Sequence, residues 1–198
     1  MTKKLIYMEN WDSGMGGWSN ALSRAAAPSN TPTRIFVNQN LARFALYSSG
    51  NLGWAIKANE PPVKSGELEI RFYCMPMAKG RNILSLNVRD KNGNPIYKYS
   101  FGHDKGGFIA ANKQGASGAV ATLLTYEKQI PYELISNHVI GSDTFTLSLR
   151  NLLDDTIQVD PTVYIGRGTK AAPCGRDMDG EGNTNGPAYI GKIEVWKI

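Results

Sequence analysis

A run of eight residues, Glu67 to Cys74, alternates polar and apolar side chains without interruption. Successive side chains of an extended strand point to opposite faces, so this period of two predicts a strand with one buried face. Helices instead repeat apolar residues every three or four positions. The side chains expected to point inward are those of Leu68, Ile70, Phe72 and Cys74.

The same alternation recurs in short runs separated by Gly, Asn, Asp and Pro. Clear runs cover residues 83–89, 96–101, 145–150 and 189–196, and weaker ones cover 4–9, 34–37, 42–47, 54–58, 108–111, 121–126, 132–136 and 163–166. The turn residues at 90–95 predict a hairpin, with Leu84, Leu86 and Val88 pointing inward from its first strand. The one short helix candidate is 20–27, and 168–187 is expected to be a single long loop. About a dozen short strands predict an all-β fold, an antiparallel β-sandwich of the jelly-roll type in one domain spanning 1–198.

Composition narrows the classes of function. Two cysteines exclude a disulfide scaffold, and no apolar run reaches the ~20 residues of a membrane-spanning helix. The net charge of +5 is spread along the chain without a nucleic-acid-binding motif. The first eight residues carry no signal-peptide core. We expect neither a nucleic-acid partner nor a membrane span.

Several segments resemble the concanavalin A-like, or laminin-G-like, jelly rolls of lectins, glucanases and carbohydrate-binding modules. They are residues 9–18 at the opening strand, 65–72 with 82–86 as a central hairpin, 143–149 as a late inner strand and 188–195 as the closing strand. Gly191 stands where that group more often has Asp. The resemblance implies the fold, and by analogy it implies glycan binding.

A polar outer sheet face is the candidate ligand surface. The strand pattern is expected to place charged, amide and aromatic side chains on it, which suits an extended polar ligand and also suits plain solvent. Trp54 lies beside a glycine turn, where its ring can stack on a sugar or close the end of the sandwich. The predicted ligand-binding residues are Glu69, Arg71, Tyr73, Asn87, Arg89 and Trp54.

Catalytic motifs are incomplete. Glycoside hydrolases of similar fold use a Glu-x-Asp-x-x-Glu strand, and the run from Glu67 has the first spacing but lacks the last carboxylate. A polysaccharide lyase needs a group that neutralises a uronate and a base, for which Arg71 with Tyr73, Tyr99 or His103 remains the alternative. No catalytic residue is assigned.

Acidic and amide side chains recur at every second position of one glycine-rich segment, at Asp177, Asp179, Glu181 and Asn183. Oxygen ligands at this spacing are typical of loops that hold Ca²⁺, and a solvated acidic turn gives the same pattern. A structural Ca²⁺ is therefore one of two interpretations. Trp196 is expected in the core, and a Cys74–Cys174 bridge stays open.

These features favour a non-catalytic, lectin-like sandwich that binds a glycan or decorates a surface. The context we favour is a structural or receptor-binding protein of a bacteriophage particle, on a virion or an extracellular surface, with other virion subunits as partners. The alternative is a polysaccharide lyase, or a carbohydrate-binding module of a secreted enzyme, acting on acidic polysaccharide.

Overall fold

The computed structural model describes residues 2–9, 18–20, 33–37, 40–44, 46–48, 52–56, 65–80, 83–90, 92, 94–103, 106–112, 119–166, 175–180 and 188–198. Within these residues the chain forms sixteen strands and no helix. In chain order they are β1 (Lys4–Glu9), β2 (Trp18–Asn20), β3 (Thr33–Val37), β4 (Asn40–Phe44), β5 (Leu46–Ser48), β6 (Leu52–Ile56), β7 (Glu67–Pro76), β8 (Leu84–Arg89), β9 (Pro95–Phe101), β10 (Phe108–Asn112), β11 (Ala119–Thr125), β12 (Tyr132–Val139), β13 (Thr144–Asn151), β14 (Ile157–Ile165), β15 (Gly175–Gly180) and β16 (Ala188–Lys197).

The strands form two large antiparallel sheets. Sheet A has the order β1-β16-β7-β12-β13-β14, with β5 also paired to β16, and sheet B has the order β11-β10-β9-β8-β15-β6-β2. Strands β3 and β4 pair only with each other among the described strands. Both sheets combine strands from early and late in the sequence, as the β1–β16 and β2–β6–β15 pairings show. The described part of the chain is therefore built largely from long-range strand pairing.

The core lies between the two sheets. Phe72 of β7 in sheet A meets Phe101 of β9 in sheet B edge to face, with ring centroids 6.5 Å apart. Tyr97 of β9 stacks on Phe145 of β13 at 4.5 Å. All four side chains are fully or almost fully buried. Aromatic pairs of this geometry add to the free energy gained by burying their area.

Side chains close the gap between edge strands β11 and β14. The buried carboxylate of Asp160 accepts hydrogen bonds from the Leu123 backbone N–H at 2.9 Å and from the Tyr164 hydroxyl at 2.7 Å. The Gln158 amide bonds to both the N–H and the C=O of Thr125. These bonds satisfy backbone groups that would otherwise be unpaired at a sheet edge.

The predicted fold class is confirmed. Every inward residue predicted for β7 and β8 is at most 1% exposed, and the 90–95 turn joins β8 to β9 in a hairpin. Backbone N–H groups of Asn92 and Asn94 bond to the Asp90 carboxylate and hold that turn. The helix candidate 20–27 lies outside the described residues except for Asn20, which ends β2.

Two organisational predictions were wrong. The segments 65–72 and 82–86 do not form a hairpin, because β7 pairs with β12 and β16 in sheet A whereas β8 pairs with β9 and β15 in sheet B. The predicted loop 168–187 contains β15, which lies between β8 and β6. Alternation identifies a strand but not its partner. Strand β15 was not recognised because Asp and Gly are uncommon in strands.

No helix in the described residues is long and apolar enough to cross a membrane.

Candidate functional site

The outer face of sheet A carries a connected group of charged and aromatic side chains. Residues of neighbouring strands lie side by side there: Glu133 is the cross-strand partner of Tyr73 and of Arg150, and Glu194 is the partner of Arg71. We call the group the outer-face patch. Its members are Lys3, Glu69, Arg71, Tyr73, Glu133, Arg150, Lys192, Glu194 and Trp196.

Glu69 is held by two cations. Its carboxylate accepts a hydrogen bond from Lys3 Nζ at 2.6 Å and one from Arg71 Nε at 2.7 Å. Burial by itself would raise the pKa of Glu69, but the bonds and charges of Lys3 and Arg71 outweigh it and hold the pKa below its ordinary value. Glu69 is therefore an anion at neutral pH.

Glu133 is the most deeply buried carboxylate of the patch. It accepts a hydrogen bond from the Tyr73 hydroxyl at 2.7 Å and lies 3.3 Å from Arg71 Nη1 and 3.5 Å from Arg150 Nη1. Burial, and then the negative charge of Glu133 and this hydrogen bond, raise the pKa of Tyr73 far above its ordinary value. Tyr73 is thus a stable hydrogen-bond donor and a poor base.

Glu194 links the patch to its aromatic rings. It accepts hydrogen bonds from Lys192 Nζ at 2.6 Å and from Trp196 Nε1 at 3.2 Å. Lys192 Nζ also lies 4.4 Å from the centre of the Tyr73 ring, and the Arg71 guanidinium carbon lies 5.5 Å from the Trp196 ring centre. Both contacts have cation–π geometry. Trp196, predicted to be in the core, instead lies half-buried on the outer face.

The patch is sorted by depth. The side chains of Glu69, Glu133 and Glu194 are 8%, 1% and 8% exposed, whereas those of Lys3, Arg71, Arg150 and Lys192 are 43%, 25%, 36% and 36% exposed. The carboxylates form the floor, and the cations form the surface that a ligand would meet first. Long basic side chains allow this because their stems lie on the sheet while their charged ends reach solvent.

The predicted ligand-binding residues do not share one face. Glu69, Arg71 and Tyr73 lie on sheet A, whereas Asn87 and Arg89 belong to β8 of sheet B, so the expectation of one common surface was wrong. The reason is the placement of consecutive strands β7 and β8 in different sheets. The ligand-binding roles themselves stay predictions, as does that of Trp54, whose strand β6 pairs with β15 and β2.

Several outward side chains on the central strands of sheet B are shielded from water. Ser85, Asn87, Ser100 and Ala110 point away from the core yet are at most 5% exposed. The Ser85 hydroxyl is buried without a hydrogen-bond partner. Lys98, the cross-strand partner of Asn87, is partly exposed on that side. The connected group of charged and aromatic side chains lies on sheet A.

The structure describes the backbone of two of the four predicted metal ligands. Asp177 and Asp179 lie in strand β15, at the register positions of Asn87 and Ser85, rather than in a loop. Glu181 and Asn183 lie outside the described residues. In the described part of the chain no three His, Cys, Asp or Glu side chains form a metal-binding group. Ca²⁺ binding stays a prediction, and a fall in melting temperature on adding a chelator would support it.

Of the residues of the lyase alternative, the structure brings Arg71 and Tyr73 together but not Tyr99 or His103. Arg71 and Tyr73 lie on the outer face of sheet A, whereas Tyr99 is buried in the core and His103 follows β9 of sheet B. The other histidine, His138, is also a core residue. Cys74 is a free, fully buried thiol, and Cys174 lies outside the described residues.

Sequence reasoning missed six members of the patch: Lys3, Glu133, Arg150, Lys192 and Glu194 were not singled out, and Trp196 was assigned to the core. A signal existed for two of them. Glu133 and Arg150 stand on the polar side of alternating runs, as Glu69 and Arg71 do. Their position beside Tyr73 depends on the β7–β12–β13 pairing, which the local pattern does not specify.

Comparisons of the sequence find no matching family model and no matching curated protein. The structure, however, is similar to many solved structures. Peanut lectin matches with a TM-score of 0.60 at 7% identity, over 100% of this chain and 98% of the lectin. These matches identify the fold of this chain as the concanavalin A-like jelly roll of lectins and carbohydrate-binding modules.

Two of the similar structures come from bacteriophages. A conserved carbohydrate esterase from Shiga toxin-encoding bacteriophage phi24B matches with a TM-score of 0.57 at 11% identity, over 99% of both chains. The CBM2 module of the evolved Dit protein of Lactobacillus casei BL23 phage J-1 matches with a TM-score of 0.52 at 12% identity, over 99% of this chain and 96% of the module. A sialidase also matches with a TM-score of 0.55 at 11% identity, over 96% of this chain but only 18% of the sialidase.

Proposed function

We propose that this protein is a non-catalytic, lectin-like module that binds an extended glycan through the outer-face patch. The observation that carries the proposal is the concentration of hydrogen-bonding groups and two aromatic rings on one side of a rigid sheet, with Arg71 and Lys192 held against Trp196 and Tyr73. Sites built on strands of the scaffold hold their side chains in fixed positions. Lectin and carbohydrate-binding neighbours of the same fold support it.

The chemistry of the patch suits binding better than bond cleavage. A retaining or inverting glycoside hydrolase requires one carboxyl group with a raised pKa, which serves as a general acid. Glu69 has a lowered pKa and is bound by Lys3 and Arg71. Tyr73 is locked as a donor to Glu133. Neither residue is poised to exchange a proton with a substrate.

The first test is glycan-array binding combined with an assay for the unsaturated product of a lyase. The proposal expects binding to a defined set of glycans without product formation. Arg71→Ala should weaken binding at least ~10-fold, since hydrogen bonds to charged groups contribute about 1.5–3 kcal/mol. Lys79→Ala is the control, because Lys79 is a partly exposed cation paired with Glu127 outside the patch.

Three results would count against the proposal. These are unsaturated product that disappears in Arg71→Ala, no binding to any glycan on the array, and equal binding by Arg71→Ala and the wild type. Arg71→Lys keeps the positive charge. If Arg71→Ala weakens binding through the lost contact and not through a folding defect, Arg71→Lys should retain part of the binding. Circular dichroism and melting temperature must be measured for each variant.

We further propose that the module is exposed on a bacteriophage particle. The phage esterase and the phage Dit module share the fold and nearly the full length of this chain, which supports this context. An antibody raised against the chain should detect it in phage particles purified on a density gradient from the strain that encodes it. Its recovery only in the particle-free fraction would contradict the proposal.

A further inference from the structure

We infer that the ligand of the outer-face patch is an anionic glycan, one that carries carboxylate or sulfate groups along its chain. This inference rests on the proposed glycan-binding function and adds the substrate class. In it, Lys192, Arg71 and Arg150 contact the acidic groups, while the carboxylates beneath them position these cations.

The depth sorting of charge is the first argument. The floor carboxylates, Glu69, Glu133 and Glu194, are at most 8% exposed, and each already accepts bonds or ion pairs from at least two donors. A neutral sugar hydroxyl gains most where it can both donate and accept. Among the members of the patch the carboxylate acceptors are covered, and the reachable charged groups are N–H donors. A ligand that only accepts, such as a carboxylate or a sulfate, matches this surface.

Unused donor capacity is the second argument. An ammonium group carries three N–H donors, and the hydrogen bond from Lys192 to Glu194 uses one of them. Lys3 likewise makes one hydrogen bond to Glu69 while 43% of its side chain stays exposed. The cations are therefore positioned by the floor without being consumed by it.

The third argument is spacing. Contacts connect Lys192 on β16 to the Tyr73 ring on β7, Tyr73 to Glu133 on β12, and Glu133 to Arg150 on β13. This row crosses the strands at right angles. Neighbouring strands are about 4.8 Å apart, so Lys192 and Arg150 are roughly 14 Å apart across three strand spacings. An extended polyanion lying across the strands can reach both cations.

Asp155 provides an internal check. Its carboxylate lies 2.8 Å from Arg150 Nη2, is 57% exposed, and competes with a ligand for that guanidinium. Removing its charge with Asp155→Asn should strengthen the binding of an anionic glycan by ~2-fold or more, since an exposed ion pair is worth up to about 1 kcal/mol. A purely structural role of the patch predicts no such gain.

The decisive experiment is titration calorimetry at low ionic strength with matched probes. The charged probes are a polygalacturonate oligomer and dextran sulfate, and the neutral probes are the methyl ester of the same oligomer and unmodified dextran. We expect binding of a charged probe at least ~10-fold tighter than that of its neutral counterpart, weakening as salt is added. The carboxylate and sulfate arms identify which anionic group is preferred.

Lys192→Gln tests the assigned contact, because glutamine keeps an N–H donor for Glu194 and removes the charge. It should weaken binding of the charged probe at least ~5-fold, a change typical of a lost charge-assisted contact. Lys79→Gln makes the same charge change outside the patch and should bind as the wild type does. Melting temperatures confirm that each variant is folded.

The outcomes separate this inference from the proposed function. Equal affinity for charged and neutral probes overturns the inference and leaves glycan binding intact. Equal weakening by Lys79→Gln and Lys192→Gln also overturns it, because attraction would then follow net charge alone. Failure to bind these probes and every glycan on the array removes the proposed function, and the inference with it.

Discussion

The two faces of sheet A use alternate residues of the same strands and are stabilised in different ways. On β7, Leu68, Ile70 and Phe72 point inward and are at most 1% exposed. Glu69 and Arg71, which stand between them in the sequence, point outward and pair with each other. One face is stabilised by apolar area removed from water, and the other by hydrogen bonds and ion pairs.

Because they are stabilised differently, the two faces should tolerate different substitutions. Apolar packing is non-directional, so the inner face needs the right volume more than a particular partner. A buried carboxylate such as Glu133 is favourable only while its donors remain in place, because an unpaired buried charge is strongly destabilising. The inner face should therefore respond to lost volume and the outer face to lost partners.

The largest loss of stability is expected from a substitution on the inner face. Phe72→Ala removes a ring that packs against Phe101 across the sandwich, and it should lower the free energy of unfolding by about 3–5 kcal/mol. Urea denaturation followed by tryptophan fluorescence measures the change. Leu123→Ala is the matched control, since Leu123 is 68% exposed and should cost less than about 0.5 kcal/mol. Similar losses in both variants would contradict the assigned core.

A smaller loss is expected from the floor of the outer face. Glu133→Ala leaves the Tyr73 hydroxyl, Arg71 and Arg150 without their shared acceptor, but the two cations can still be solvated. We expect a loss of about 2 kcal/mol in the free energy of unfolding, in the range for hydrogen bonds to charged groups.

A double-mutant cycle makes this prediction specific. Tyr73→Phe removes the hydroxyl alone, and its effect should be largely absent when Glu133 has already been replaced by alanine. Additive effects of the two substitutions would show that the 2.7 Å bond contributes nothing to stability.

The inner face could be predicted from the sequence because its signal is local. Alternation along residues 67–74 identified a strand, and the apolar side chains at every second position identified its buried side. The same rule could not predict that β7 and β8 enter different sheets, since strand pairing here joins residues as distant as Leu5 and Trp196. Strand β15 was missed because its Asp and Gly residues favour turns.

The outer face was predicted only in part, for the same reason. Glu69, Arg71 and Tyr73 were assigned to a polar face from their own strand. Their partners Glu133 and Glu194 come from β12 and β16, and no local pattern indicates that these strands flank β7. A site assembled across strands needs the register before its chemistry can be inferred.

Acid should affect the two faces in different pH ranges. His138 is fully buried on the inner face, where Nδ1 bonds to the Thr144 carbonyl and Nε2 has no partner. Burial lowers the pKa of His138 below its ordinary value of 6.5, despite the opposing effects of Thr144 and Asp143. The unfolded chain therefore binds this proton more readily, and stability falls as the pH drops below about 6.5, by up to about 1.4 kcal/mol per pH unit.

Glu69 on the outer face acts at lower pH. Its lowered pKa means that its contribution to stability is complete above the ordinary value of 4.5 and is lost as the pH falls below it.

The effect of His138 is tested between pH 7 and 5, where the free energy of unfolding of the wild type should decline as the pH falls. It should decline much less in His138→Gln. An unchanged decline in that variant would assign the effect to other groups.

The smallest effect is expected where the outer face meets solvent. Arg150 and Asp155 form an ion pair whose side chains are 36% and 57% exposed, so water and salt screen it. Asp155 has a positive φ of 62°, a conformation that asparagine also accepts well. Asp155→Asn should therefore change the free energy of unfolding by less than about 1 kcal/mol, and the change should shrink in high salt.

Asp155→Ala separates backbone from charge at this position. Alanine loses the same ion pair but also strains the left-handed backbone, which adds about 1 kcal/mol. A large loss in Asp155→Asn, comparable to that of Glu133→Ala, would mean that exposed and buried pairs of the patch act as one cooperative network. A small loss, confined to low salt, would mean that the buried carboxylates supply most of the stability of the outer face. The exposed cations of the patch would then remain available for a ligand.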